Sequence, residues 1–126
     1  MYPALFLQRR RDLVGRLTEE EWLNRHGRQE VELESVDFCR RYELLADGHL
    51  DPLALRELFS PSFIVYLAGH PLAPCFEYRA GALVVYVRRR LTDAGSLNML
   101  LEATRRVAAR LRDEVDEQPR TPLRTA

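Results

Sequence analysis

The sequence predicts an α+β domain: an antiparallel sheet of two hairpins, helices packed on one of its faces, and a long C-terminal amphipathic helix. Two observations lead to this prediction. Segments that alternate with a period of two are interspersed with capped helical segments, and the last apolar stripe has a helical period. The chain has 126 residues, enough for one domain with a buried core. We expect an N-terminal helical segment over 1–29, the α+β domain over 30–116 and a disordered tail over 117–126.

The N-terminal segment is predicted to contain two helices. Apolar residues recur at roughly helical spacing over 4–17, which favours a first helix. Thr18–Glu21 forms a capping-box pattern, in which the threonine hydroxyl and the glutamate side chain satisfy each other's backbone amides. A second short helix is therefore expected from this box to His26, with Gly27 as its C-terminal cap.

Strand signals dominate the next stretch. The alternation of acidic and apolar residues over 30–34 predicts a strand with one apolar face. The alternation slips at Ser35 and resumes over 36–38, which predicts either a bulge or a second short strand. Residues 40–46 alternate again and predict the following strand, which ends before Gly48.

Two short helices are predicted after these strands. Asp51 and Ser60 are both favoured N-cap residues, and each directly precedes a proline, which suits the first helical position. The helices are expected over 53–59 and 61–69, and the second ends at Gly69.

A hairpin and a long helix complete the predicted domain. Residues 75–79 and 83–88 have strong strand character and flank the turn Ala80-Gly81. Asp93 or Ser96 caps the last helix, whose apolar stripe is Leu97, Leu100, Leu101, Thr104, Val107, Ala108, Leu111 and Val115. We expect this stripe to pack against Tyr42, Phe76, Tyr78 and Val85.

Three pieces of the sequence are similar to one known family. They are Leu33–Tyr42, Ala54–Pro61 with Leu67, and Phe76-Glu77 with Leu83–Tyr86. Together they resemble an uncharacterised bacterial domain family, whose members often carry the domain on the cytoplasmic side of a pair of transmembrane helices. The resemblance covers about residues 30–115 and implies fold and domain limits, but no activity. The sequence departs from the family pattern at Cys39, where the pattern has Asn, and it lacks the membrane helices.

Composition narrows the class of protein. All 19 basic residues are Arg, against 19 acidic residues, and Ile64 is the single isoleucine; we interpret this as the codon bias of a GC-rich bacterial genome. The zero net charge gives no general attraction to nucleic acid. Cys39 and Cys75 are expected to be reduced, unreactive thiols in a cytoplasmic protein without a secretory signal.

No catalytic motif is readable in the sequence, so we predict neither an enzyme nor a bound cofactor or metal. His26, His49 and His70 are scattered over predicted turns and helix ends and lack metal-ligand spacing. Glu30, Glu32 and Glu34 share one strand face, which we interpret as the solvated face of a strand rather than a catalytic cluster. No glycine-rich phosphate loop and no glycine-flanked nucleophile occurs.

Two surfaces are candidates for interaction. The first is an arginine-rich surface at the end of the hairpin, formed by Tyr86, Arg88, Arg89 and Arg90. The second is an apolar and basic N-terminal cluster that suits a membrane surface, formed by Phe6, Leu7, Arg9, Arg10 and Arg11. The commoner fate of such an apolar terminus is to dock on the helix layer of its own domain.

The sequence therefore favours a non-catalytic protein-interaction module, which acts in the cytoplasm or at the inner face of the membrane. A protein partner or a second copy of the chain is the expected ligand. The alternatives are a small nucleic-acid-binding protein that uses the arginine-rich surface and a small enzyme with an unrecognised site. An exposed apolar patch on the sheet face away from the helices would favour the module. A concave pocket with convergent Glu and Arg would favour the alternatives.

Overall fold

The computed structural model describes residues 4–10, 27–47 and 51–117. In chain order its elements are β1 (Leu5–Arg9), β2 (Gln29–Glu30), α1 (Val36–Arg41), β3 (Tyr42–Ala46), α2 (Pro52–Leu58), α3 (Pro61–Gly69), β4 (Cys75–Arg79), β5 (Ala82–Tyr86) and α4 (Ala94–Glu117). The five strands form one sheet in the order β2-β3-β1-β4-β5, and every neighbouring pair is antiparallel. The predicted α+β class, with its antiparallel sheet and long C-terminal helix, is confirmed.

The N-terminal strand is the main correction to the predicted topology. Residues 5–9 form β1, the central strand, which pairs with β3 on one side and β4 on the other, whereas a helix was expected over 4–17. The segment 1–29 therefore contributes to the sheet instead of forming a separate helical unit. The run Leu5-Phe6-Leu7 is apolar on both faces because a central strand is covered on both sides. The predicted helices over 11–26 and the tail after 117 lie outside the described residues.

One face of the sheet carries the main hydrophobic core. The sheet contributes Leu5, Leu7, Tyr42, Leu44, Ala46 and Phe76. The helices contribute Phe38, Leu55, Leu58, Phe63, Leu67, Val107 and Leu111. All four described helices thus bury side chains against the same face of the sheet, as predicted.

The opposite face of the central strands is also buried. Phe6 and Gln8 are 0 % exposed, and Glu43 and Leu45 are 2 % and 3 % exposed. The Phe6 ring lies 4.3 Å from the guanidinium carbon of Arg28. Gln8 Nε2 donates a hydrogen bond of 2.6 Å to Glu43 Oε1, so this buried carboxylate is partnered.

A short helix replaces the predicted bulge or strand over 36–38. Ser35 is the N-cap of α1, since its hydroxyl accepts from the Phe38 amide at 3.2 Å. Asp37 lies in the first turn, and Arg40 and Arg41 lie in the last turn, where their charges suit the helix dipole. The α1 helix then leads directly into β3, which begins at Tyr42.

The remaining helices and the hairpin follow their sequence signals. Asp51 and Ser60 cap α2 and α3, each with a proline in the first turn, as predicted. The β4–β5 hairpin turns at Ala80 and Gly81, whose φ angles are +53° and +80°. Positive φ at both turn residues matches the twist of the strands that they join.

The long helix α4 buries a different stripe from the predicted one. Val107 and Leu111 are buried as expected, and Ala103 joins them at 0 % exposed. Leu97 and Leu101 are 50 % and 49 % exposed, so their prediction as core residues is wrong. The buried positions 103, 107 and 111 are four residues apart, and Leu97 and Leu101 lie on a neighbouring face. Asp93 is the cap of α4, since its Oδ2 accepts from the Ser96 amide at 2.8 Å.

Candidate binding site

A groove lies between the extended segment 29–35 and helices α2 and α3. The cavity measures about 730 Å³. Its apolar lining consists of Val31, Leu33, Ala46, Leu55, Phe59, Pro61, Ile64 and Val65. We call it the apolar groove. It follows the β2 edge of the sheet, where backbone groups on the outer side of a strand have no neighbouring strand to pair with.

A second cavity adjoins the apolar groove and differs from it in charge. It measures about 510 Å³ and shares Ser35 and Val65 with the groove. Its charged lining residues are Arg9, Arg40, Arg41 and Asp37. We call it the arginine pocket. Three guanidiniums against one carboxylate leave an excess of two positive charges among the described lining residues.

Strand register brings the arginines of the pocket together. Arg9 is the last residue of β1 and lies opposite Tyr42, the first residue of β3. Arg40 and Arg41 immediately precede Tyr42 at the end of α1. The C-terminal end of β1 and the last turn of α1 therefore meet, although about thirty residues separate them in the chain.

The Arg41 guanidinium is fixed at the end of α3. Its Nη1 donates to the carbonyls of Leu67 and Ala68 at 2.9 Å and 2.8 Å. These carbonyls lie in the last turn of the helix, where backbone acceptors lack intrahelical partners. Arg41 therefore caps the C-terminal end of α3, and the positive charge of its guanidinium lies at the wall of the arginine pocket.

One hydrogen-bond donor of the Arg9 side chain lacks an acceptor. Its Nε is buried and has no hydrogen-bond partner. A buried donor without an acceptor destabilises a fold by about 1–3 kcal/mol. Neither Arg9 nor Arg40 forms an ion pair within the described ranges. Arg9 and Arg40 therefore bring to the pocket guanidinium charge that no described carboxylate pairs with.

Carboxylates line the rim of the apolar groove. Glu30 is bound on both oxygens by Arg10, at 3.1 Å and 3.2 Å, and Asp47 pairs with Arg28 at 3.2 Å. Glu32 and Glu34 are exposed, and no described residue forms an ion pair with them. Arg56 also lines the groove, so the described residues leave an excess of one negative charge at the rim, while the arginine pocket beyond it is positive.

The predicted arginine-rich surface lies at the opposite edge of the sheet. Tyr86 ends β5 and is half-buried against the core. Arg88 is half-buried, and Arg89 and Arg90 are exposed after the strand. Since β5 and β2 are the two edge strands, these residues do not contribute to the groove. Val84, beside them on β5, is 55 % exposed.

The predicted membrane-proximal cluster is divided among different environments. Phe6 and Leu7 are 0 % exposed inside β1, so the folded chain does not present them to a bilayer. Arg9 lines the arginine pocket. Arg10 binds Glu30 and donates to the Tyr42 carbonyl at 2.9 Å, and Arg11 lies outside the described residues.

The side chains of His70, Cys39 and Cys75 each form a hydrogen bond to the backbone within the fold. His70 was expected in an exposed turn, but it is 8 % exposed, and its Nδ1 accepts from the Leu72 amide at 3.0 Å. Burial, followed by the charge of Arg41, lowers the pKa of His70 below its usual range. Cys39 and Cys75 are both free thiols, as predicted. In the described ranges no group of His, Cys, Asp and Glu side chains could hold a metal ion.

Comparison with known proteins assigns neither a family nor a function to this chain. No protein-family model, no curated protein and no solved structure matches this chain. Across residues 4–10, 27–47 and 51–117, no helix has both the length and the apolar composition that crossing a bilayer requires.

Sequence reasoning identified Arg9 and the glutamates of the rim but not the site that they border. Arg40 and Arg41 fall within the strand predicted over 40–46, and Ile64 and Val65 fall within the helix predicted over 61–69. One available signal was Val65, an apolar residue in a capped helix whose buried stripe is Phe63 and Leu67. Val65 lies two positions from both Phe63 and Leu67 and therefore on another side of the helix, where it is 71 % exposed.

Proposed function

We propose that this chain is a non-catalytic protein-interaction module that binds a segment of a partner protein in the apolar groove. The observation that carries the proposal is the apolar lining beside the exposed carboxylates of Glu32 and Glu34 at the β2 edge of the sheet. An apolar side chain of the partner would fill the groove. A neighbouring Lys or Arg of the partner would face Glu32 and Glu34.

The chemistry of the site favours binding over catalysis. The groove is a concave pocket whose lining includes Glu30, Glu32, Glu34 and Arg56, the feature expected of an enzyme or a nucleic-acid-binding protein, and the far face of the sheet is buried at its centre. Ser35, however, carries the one hydroxyl among the described lining residues, and it serves as the N-cap of α1 by accepting from the Phe38 amide at 3.2 Å, whereas covalent catalysis needs a nucleophile activated by a base. We also propose a reducing, cytoplasmic setting, which the two free thiols favour.

Nucleic-acid binding has less support from the geometry. Phe59 is the sole aromatic residue among the described residues that line either cavity, and it is 2 % exposed. Single-stranded nucleic acids bind chiefly by stacking bases on exposed aromatic rings beside a basic groove. The exposed arginines Arg89 and Arg90 lie at the other edge of the sheet.

Two valine substitutions test the groove directly. Val65 in the groove and Val84 on β5 are both exposed, so changing either to Glu should leave the fold intact. A displayed library of random peptides selected on the wild-type chain should enrich sequences with an apolar residue beside Lys or Arg. We expect V65E to weaken binding of the selected peptides at least about tenfold, since a carboxylate replaces part of the apolar lining and loses its hydration when the peptide covers it.

V84E is the matched control and should bind the same peptides within about twofold of the wild type. The proposal fails if no such sequence pattern is enriched or if both variants weaken binding equally. It also fails if the groove takes a second copy of the chain. In that case the wild type would form a concentration-dependent dimer that V65E abolishes.

A further inference from the structure

We propose that the arginine pocket is a binding site for a phosphate monoester, held by the guanidiniums of Arg9, Arg40 and Arg41. This assignment concerns the pocket alone and does not require that a protein segment occupies the apolar groove. Its basis is the meeting of three arginines with a single acid around one cavity of about 510 Å³.

Charge favours phosphate over a carboxylate as the ligand. The described lining residues leave an excess of two positive charges in the pocket. A phosphate monoester carries about −1.5 to −2 at neutral pH, whereas a carboxylate carries a single negative charge. A guanidinium also presents paired N–H donors that match two oxygens of a phosphate group.

Part of the pocket is fixed before any ligand enters. The two carbonyl bonds of Arg41 at the end of α3 hold its guanidinium in place. Arg9 projects from the central strand of the sheet, and its buried Nε lacks an acceptor. Preorganised donors of this kind lose little conformational entropy on binding.

The size and lining of the cavity leave room for the organic part of the ester. A volume of about 510 Å³ exceeds that of a phosphate group and lies within the usual range of small-ligand pockets. Val65 and Ala68 of α3 provide an apolar wall opposite the arginines. The ester could belong to a phosphorylated small molecule or to a phosphorylated side chain of a docked protein segment.

The test uses O-phosphoserine as the probe, titrated by calorimetry at constant ionic strength. The wild-type chain should bind it saturably. We expect R40Q to raise Kd about tenfold or more, because a charge-assisted hydrogen bond is lost. The control is R105Q, which makes the same change on α4, where Arg105 is exposed and pairs with exposed Glu102. R105Q should leave Kd within about twofold.

Arg9 gives a second readout that does not depend on the probe. R9M removes the buried, unpartnered Nε, so the melting temperature without ligand should rise while O-phosphoserine binding is lost. An unchanged or lower melting temperature would contradict the unpartnered donor at Arg9, and retained O-phosphoserine binding would remove Arg9 from the site.

Three outcomes overturn the assignment. One is the absence of saturable binding, and another is equal weakening by R40Q and R105Q. The third is competition by acetate at equal concentration, which would make the pocket a general carboxylate site. Because this probe lacks a peptide chain, failure here leaves the groove proposal standing, and failure of the peptide selection leaves this one standing.

The two sources of the ester can be separated with the selected groove peptides. If phosphorylating a serine in such a peptide tightens its binding to the wild type but not to R40Q, the source is a phosphorylated protein segment. If O-phosphoserine binds and no phosphopeptide gains affinity, the source is a soluble phosphate monoester.

Discussion

Three arginines of the described residues cap the C-terminal ends of helices. Arg10 donates to backbone carbonyls at the end of α1, and Arg41 does so at the end of α3. Arg110 of α4 donates to the Leu58 carbonyl in the last turn of α2 at 3.0 Å and 3.2 Å. Each guanidinium satisfies acceptors that a helix leaves open and places a cation at the negative end of its dipole. Arg9 has no such role, which sets it apart as a candidate ligand-binding residue.

The lowered pKa of His70 predicts how the free energy of unfolding depends on pH. Its Nδ1 must stay unprotonated to accept from the Leu72 amide, and burial lowers the pKa of the imidazole below its ordinary value of 6.5. Below that value the unfolded chain binds a proton that the folded chain resists, so the free energy of unfolding should decrease as pH falls. This loss should end once the pH is below the pKa of His70 in the folded state.

The variant H70N tests this linkage. Asparagine keeps an acceptor near the position of Nδ1 but does not titrate. Urea unfolding between about pH 5 and pH 8 should show a smaller loss of stability in acid for H70N than for the wild type. Equal pH dependence of the two proteins would show that His70 is not the group responsible.

At the scale of elements, α4 has a buried face and an exposed apolar face. Leu111 is 4 % exposed and Leu101 is 49 % exposed, so identical substitutions at the two positions should differ in effect. L111A should lower the free energy of unfolding by about 2–5 kcal/mol, because it removes buried methyl groups from the core. L101A should change it by less than about 0.5 kcal/mol. Similar denaturant midpoints for the two variants would refute the assigned orientation of the helix.

Elements with local signals were predictable, and those that depend on distant contacts were not. Helices α2 and α3 begin at N-caps followed by proline, and the β4–β5 turn has residues suited to positive φ. Strand β1 lacks alternation because both its faces are buried, a condition set by partners far along the chain. Helix α1 has only six residues, too few for a helical period to outweigh an apparent alternation.

The binding site could not be predicted from the sequence for the same reason. The arginine pocket exists because the register of β1 against β3 sets Arg9 opposite Tyr42, beside the end of α1. No local pattern encodes that register. The acidic rim was visible as an alternating strand face, but the groove behind it depends on how α2 and α3 pack.

At the scale of the whole molecule, β1 makes the N-terminus indispensable to the fold. It separates β3 from β4 in the sheet and contributes fully buried side chains to both faces. A chain that begins at Asp12 should therefore lose its cooperative thermal transition, measured by circular dichroism. A chain that begins at Ala4 keeps the strand and should unfold cooperatively. A cooperative transition in the shorter chain would contradict the central position of β1.

Amide chemical-shift mapping tests the central claim that the groove and the arginine pocket form the binding site. The labelled wild-type chain would be titrated separately with a selected groove peptide and with O-phosphoserine. The peptide should perturb amides within 31–35 and 61–65, and O-phosphoserine should perturb amides of Arg9, Arg40, Arg41 and 65–69, the segments that line the two cavities. Perturbations concentrated instead at 86–90, or around Leu97 and Leu101 on α4, would place binding elsewhere and contradict the account.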